Sequence, residues 1–290
     1  MPHSSKSSAE ALLAEEAVPD AARELRQRTA RREITERRRI TQRLRQALLS
    51  DGFVLQYQPI ISLRTGYMRG AETIIRLQHS RRGLIAAAHF MPIAERSEII
   101  NDVGGWMLQQ ACMQAASWPG ELSVALTLSQ RHMQGGMLIR QLLESLSASG
   151  LPAERLELEL TEAMLIDDND DTVFALRALQ SLGVRLALNN FGTGYASLSA
   201  LKRLPIATLR LDRSLIHNLH EGVADAAIVQ AAVKAGHALG CAVLADGVEN
   251  EAQLALLSEI GCDEGQGPYF SQPVTAAEIA AMLAATPRTS

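Results

Sequence analysis

The sequence predicts an α/β protein, a TIM-like (β/α)8 barrel with one antiparallel strand, preceded by an N-terminal helix. Three observations lead there. Beyond Gly52, strand-like apolar runs alternate with helix-like segments about eight times, and repeated β-α units make a mostly parallel sheet. Glycines stop the helical patterns cleanly: Gly183 follows Leu182, Gly240 follows Leu239 and Gly261 follows Ile260. The first two strands are separated only by a short hairpin-like stretch, Arg64-Thr65-Gly66, so one strand runs against the others.

The 290 residues are 47% apolar and 21% charged, ordinary for a globular protein. That length suits a barrel, which commonly takes about 250 residues as one domain. Apolar runs such as Ala86-Ala87-Ala88 are too short to span a bilayer. Met1-Pro2-His3-Ser4-Ser5-Lys6 has no basic start followed by an apolar core, so no signal peptide is expected. Cys112, Cys241 and Cys262 lie far apart without metal-ligand spacing and read as buried, reduced thiols. A cytoplasmic protein without cofactors is the expectation.

Composition divides the chain into a disordered tail (1–19), an arginine-rich helix (20–50) and a barrel domain (51–290). The tail is aperiodic and rich in Ser, Ala and Glu. Residues 21–50 hold ten arginines and three glutamates, a net of +7, although the whole chain carries −4. From Asp20 to Leu49 there is no Gly or Pro; Asp20 can cap the start, and Arg43 and Arg45 sit near the negative end. A basic helix can serve nucleic acid or an acidic membrane surface. Without interleaved aromatics or a base-reading motif, a signalling or dimerising helix is the better reading. Its stripe of Ile40, Leu44, Ala47 and Leu48 would join a second copy or a protein partner through residues 20–49.

The expected strands are Phe53–Ser62, Met68–Arg76, Ser123–Ser129, Arg155–Thr161, Arg185–Phe191, Thr208–Asp212, Ala242–Gly247 and a short one near Gly267–Ser271. The expected helices are Gly104–Trp118, Met137–Ser149, Thr172–Leu182, Ser197–Leu204, Ala224–Leu239 and Glu251–Ile260.

In a barrel, functional groups come from the C-terminal ends of several strands. The most informative such end is Asn189-Asn190-Phe191-Gly192-Thr193-Gly194-Tyr195, where the apolar run from Val184 stops at a Gly-rich turn. It closely resembles the Asp-Asp-Phe-Gly-Thr-Gly-Tyr signature of EAL domains, which hydrolyse the bacterial second messenger cyclic di-GMP. Further motifs follow in order over residues 52–285. Tyr57-Gln58-Pro59 resembles the first-strand motif, whose glutamine is expected near a guanine edge. Glu72-Thr73-Ile74 stands where Glu-Ala-Leu stands, keeping the metal-binding glutamate. Arg76 matches an arginine that holds a ligand phosphate, for which a guanidinium fork is well shaped. Glu159-Leu160-Thr161-Glu162 preserves Glu-X-Thr-Glu, and Leu209-Arg210-Leu211-Asp212-Arg213-Ser214 is similar to Leu-Lys-Ile-Asp-Arg-Ser. Ala245-Asp246-Gly247-Val248-Glu249 and Gly265-Gln266-Gly267-Pro268 resemble Ala-Glu-Gly-Val-Glu and Gly-Gln-Gly-Tyr.

The resemblance implies a barrel, a cyclic di-GMP site and two catalytic metals. Against it, five metal and catalytic positions differ: Thr127 replaces an asparagine, Asn189 and Asn190 replace aspartates, Arg210 replaces lysine and Asp246 replaces glutamate. Each single change has a bland explanation in family drift. Together they remove anionic ligands that two divalent ions require, and an arginine does not give up a proton near neutral pH. The expectation is an inactive EAL-like regulator with no catalytic and no metal-binding residues. Its ligand-binding residues are expected to be Gln58, Glu72, Ile74, Arg76, Asn189, Asn190, Arg210, Glu249 and Gln266. Replacing paired aspartates by amides removes repulsion toward two phosphates, which favours metal-independent binding of cyclic di-GMP. Pro268 and Leu77 oppose it, because they replace aromatics, and stacking is worth about 1–3 kcal/mol per base. A weak phosphodiesterase and a protein-binding module with a vestigial pocket are the competing functions.

Overall fold

The computed structural model describes residue 28 and residues 34–165, 170–194, 201–219 and 222–285. The tail lies outside the described residues, as does the first half of the helix expected at Ser197–Leu204.

Among the described residues, nine strands form the sheet: β1 Phe53–Ser62, β2 Met68–His79, β3 Gly83–Ala86, β4 Ser123–Thr127, β5 Leu156–Thr161, β6 Arg185–Phe191, β7 Thr208–Leu211, β8 Ala242–Asp246 and β9 Glu264–Gln266. Their order is β1-β9-β8-β7-β6-β5-β4-β2-β3, and β1 also pairs with β2. Eight strands thus close a ring, and β3 lies outside it as an antiparallel neighbour of the end of β2. Within the ring β1 is the antiparallel strand, bonded that way to both β2 and β9, while the remaining pairings are parallel.

Period-two alternation sets which residues face the helices. Leu156, Leu158, Leu160, Leu186, Leu188, Leu209, Leu211 and Val243 are buried in the large apolar cluster beneath the outer helices. The alternate positions point into the ring, where Ile60, Ala125 and Leu244 form a small apolar layer of their own. Polar side chains fill the ring on either side of that layer. On one side, Thr208 Oγ1 donates to Glu157 Oε2 at 2.7 Å and Arg185 Nε lies 3.4 Å from the same oxygen. The other side, at the C-terminal ends of the strands, is the candidate site.

Close packing of the strands shows at Gly70, where a Cβ would lie 2.4 Å from the Ser123 carbonyl oxygen. The expected glycine stops are met: Gly183, Gly240 and Gly261 have φ of 91°, 78° and 87°. Asn250 caps the helix Glu251–Ile260, accepting from Gln253 N at 3.0 Å, while the Gln253 side chain returns to the Asn250 N–H.

Several expected boundaries are corrected. The last strand is Glu264–Gln266, before the expected Gly267–Ser271, because pairing to Leu244–Asp246 holds it there. The helix expected from Gly104 starts at Ile99, with Ile99, Ile100 and Val103 buried. The strand β3 and the helix Ala276–Ala285 were not expected at all. Within the arginine-rich segment, residues 34–49 are helical (α1). Leu44 and Ala47 are buried in the main apolar cluster, and Ile40 and Leu48 pack on it. The expected stripe therefore lies on the chain's own barrel. No helix among the described residues is long and apolar enough to cross a membrane.

Candidate functional site at the mouth of the barrel

At the C-terminal ends of the parallel strands, one buried cation organises the polar side chains. Arg210 on β7 has only 1% of its side chain exposed, and Glu159 on β5 has none. Its Nη1 donates to Glu159 Oε1; its Nη2 donates to Glu72 Oε2 at 2.6 Å and to Gln266 Oε1 at 2.9 Å. Gln266 extends the network, donating from Nε2 to Glu72 Oε2 at 2.7 Å and to Gln58 Oε1 at 3.1 Å. Gln58 in turn donates to the Ser271 carbonyl at 3.3 Å. The second Glu159 oxygen accepts from Thr127 Oγ1 at 3.0 Å and Asn189 Nδ2 at 2.9 Å.

The charges are tightly balanced. Burial pushes the Glu159 carboxyl up, and the Arg210 guanidinium pulls it down. With donors on both oxygens, neither is left to carry a proton, so we read Glu159 as a carboxylate held by three hydrogens, from Arg210, Thr127 and Asn189. Burial would disfavour the Arg210 charge, but Glu159 and Glu72 outweigh it and raise its pKa further. Asp246, at the end of β8, is raised by burial and lowered by the same guanidinium.

The sequence-derived candidates divide into three groups. Gln58, Glu72, Asn189, Arg210 and Gln266 meet in one hydrogen-bonded network. Arg210 sits at its floor with both terminal nitrogens engaged by protein. Ile74 and Arg76 are partly buried and lie beyond Glu72 at alternate positions of β2. Arg76 Nε donates to Gln56 Oε1 at 2.7 Å, which leaves the far end of its fork for other acceptors. Asn190 and Glu249 stand apart. Asn190 is exposed, with φ of 59°, a left-handed conformation that Asn tolerates better than most residues. Glu249 is exposed, with Oε2 3.5 Å from His217 Nδ1.

Glu159 and Thr127, read from the sequence as motif positions but not as ligand-binding candidates, are central to the network, and Gln56 and Glu162 also contribute without having been candidates. Gln56 orients Arg76, and its place two residues before Gln58 on the same strand face was the available signal. Glu162 is buried and accepts from Gly192 N at 3.2 Å and Thr193 Oγ1 at 3.0 Å, tying down the turn after β6.

The donor set does not suit a pair of divalent ions. Such ions need anionic oxygens with free lone pairs. Here an arginine, an amide and a hydroxyl all point hydrogens at the Glu159 carboxylate, and the guanidinium lies between Glu159 and Glu72, where a cation would otherwise balance them.

A closed (β/α)8 barrel with this cluster at its mouth defines the class, and sequence comparison assigns the family. The EAL domain profile matches residues 41–273. The chain belongs to the EAL domain family. It is 40% identical over 234 residues to the signaling protein YkoW of Bacillus subtilis, covering 80% of this chain and 29% of that protein. It is 37% identical over 245 residues to MucR of Pseudomonas aeruginosa, a bifunctional diguanylate cyclase/cyclic di-GMP phosphodiesterase, covering 83% of this chain and 36% of MucR. The chain thus spans about a third of the length of these relatives. A solved complex of the PaMucR phosphodiesterase with c-di-GMP superimposes with a TM-score of 0.79 at 36% identity, over 83% of this chain and 99% of that one.

Proposed function

We propose that this protein is a non-hydrolysing EAL-domain receptor, which takes up cyclic di-GMP without metal and passes the signal to a protein partner or a second copy in the cytoplasm. The observation that carries this reading is the Arg210 fork between Glu159 and Glu72. It supplies in permanent form the positive charge that hydrolysis draws from metal ions, and it offers neither a water nor a usable base. Binding is supported by relatives that act on cyclic di-GMP and by the solved c-di-GMP complex of the similar PaMucR domain. Arg76, rather than the engaged Arg210, is the cation for a ligand phosphate. Asn189 and Asn190 are neutral where aspartates would repel the ligand.

Calorimetric titration with cyclic di-GMP, with Mg²⁺ and with EDTA, tests both parts. The expected result is the same affinity in each condition and no linear product above a protein-free control. Steady turnover that disappears in Glu72→Ala would overturn the first part and point to a weak phosphodiesterase. Absence of binding would overturn the second and leave a protein-binding module. Asn190→Asp alone is expected to restore no activity, because Arg210, Thr127 and Asn189 remain.

A further inference from the structure

A second concavity, lined by none of the residues of the Arg210 network, has a volume of about 570 Å³ and lies between α1, the end of β2 and β3. That size is in the range of small-molecule sites, roughly 300–1,000 Å³. Its basic side chains come from separate parts of the chain: the guanidinium cations of Arg39 and Arg43 from α1 and of Arg82 from the turn after β2, with the imidazoles of His79 at the end of β2 and His89 from the helical turn Ala87–His89. Its floor is apolar, with Leu77 and Phe90 buried and Ile85 half-buried.

The charge there is poorly balanced within the protein. Glu36 is the only acid among the lining residues, and Arg39 already holds it at 2.7 Å. Among the described residues, the Arg43 guanidinium reaches no acceptor closer than the Gln78 carbonyl, 3.5 Å from its Nη2. The Arg82 backbone N–H donates to the His79 carbonyl at 3.2 Å, but its guanidinium makes no hydrogen bond or ion pair among the described residues. Desolvation, with the charges of Arg43, Arg82, Arg39 and Arg81, holds the His79 imidazole below its ordinary pKa range. Gathering like charges around one hollow is unfavourable unless an anion enters it. Guanidinium forks match phosphate oxygens in geometry as well as charge.

We propose that this hollow is a second ligand site, for a soluble phosphate-bearing small molecule whose apolar or aromatic body rests on Leu77, Ile85 and Phe90. The concave arrangement favours a discrete ligand over a membrane, since a flat anionic surface could not reach a floor enclosed between helix and hairpin. The occupant would bridge α1 to the β2–β3 hairpin and hold the arginine-rich helix on the barrel. The site begins one residue along β2 from Arg76, yet it requires nothing of the proposed cyclic di-GMP reading.

Pyrophosphate is the probe, added to the full chain at constant ionic strength and followed by thermal shift and calorimetry. It is expected to bind and to raise the melting temperature. An Arg43→Ala/Arg82→Ala double variant should bind at least about tenfold more weakly, the loss usual for charge-assisted hydrogen bonds. Arg38→Ala, which removes a charge from α1 outside the hollow, should bind like the wild type. Should the double variant fold poorly, Arg82→Ala alone carries the test, because Arg82 is exposed. No pyrophosphate response, or equal loss in Arg38→Ala, would overturn the site. Binding to phosphatidylglycerol but not phosphatidylcholine vesicles, lost in the double variant and unmatched by pyrophosphate, would overturn the soluble ligand in favour of a lipid headgroup.

Discussion

Arg210 decides the electrostatics of the site, and its removal should be costly. Arg210→Ala would leave Glu159 and Glu72 buried or partly buried without their counter-charge. Breaking a buried pair by removing one partner typically costs about 3–5 kcal/mol. Urea unfolding at neutral pH is expected to show a loss of that size, with Arg210→Lys recovering only part of it because an ammonium lacks the planar fork. Arg76 should behave in the opposite way. It is partly buried with one side-chain hydrogen bond, to Gln56, so Arg76→Ala should leave the unfolding midpoint nearly unchanged. Cyclic di-GMP binding by that variant, measured by calorimetry, should weaken by about 1.5–3 kcal/mol, the usual worth of a hydrogen bond to a charged group. Both residues were legible as departures from, or matches to, a known motif. Their different fates were not, since a sequence names an arginine without saying how deeply it is buried.

At the scale of elements, α1 offers the sharpest test. Its Ile40-Leu44-Ala47-Leu48 stripe is plain at helical spacing, but periodicity shows that a face is apolar and not what covers it. In the structure the cover is the barrel itself, with Leu44 fully buried. Leu44→Ala should therefore destabilise the protein by about 2–5 kcal/mol, as core truncations of leucine do. A chain begun at Asp51 should melt at a lower temperature than one that includes α1. If calorimetry found the two indistinguishable, the helix would not be part of the folded unit. The cap of the helix Glu251–Ile260 makes a smaller, local prediction: Asn250→Ala should cost about 1 kcal/mol, read from the same unfolding curves. Elements that the sequence hid share a cause. β9 has only three residues, Glu264–Gln266, with a glycine at its centre, and β3 is a four-residue edge. Neither carries enough alternation or β-branched side chains to stand out, so pairing with neighbours makes them strands.

For the whole molecule, the cysteines report whether the barrel is intact. Burial pushes the Cys112 and Cys262 thiols up to about 12 and raises Cys241 as well. A thiol with a raised pKa holds its proton and reacts slowly. Ellman's reagent at pH 8 should find essentially no reactive thiol in the native protein and all three after denaturation; rapid native labelling would show that the barrel opens readily.

What the sequence by itself determined is the β-α order, the glycine stops, the hairpin start and the neutral amides at 189 and 190. All of these are written in local spacing and residue type. Only the tertiary structure decided what the site's charge is used for. Arg210 meets Glu159 across 51 residues and Glu72 across 138. In a water-poor interior the strength of an ionic contact depends on separation in space, and on which hydrogens reach which oxygens, not on separation along the chain. Closing the ring brings β2, β5, β7 and β9 to one mouth, and that closure makes Arg210 the cation between Glu159 and Glu72.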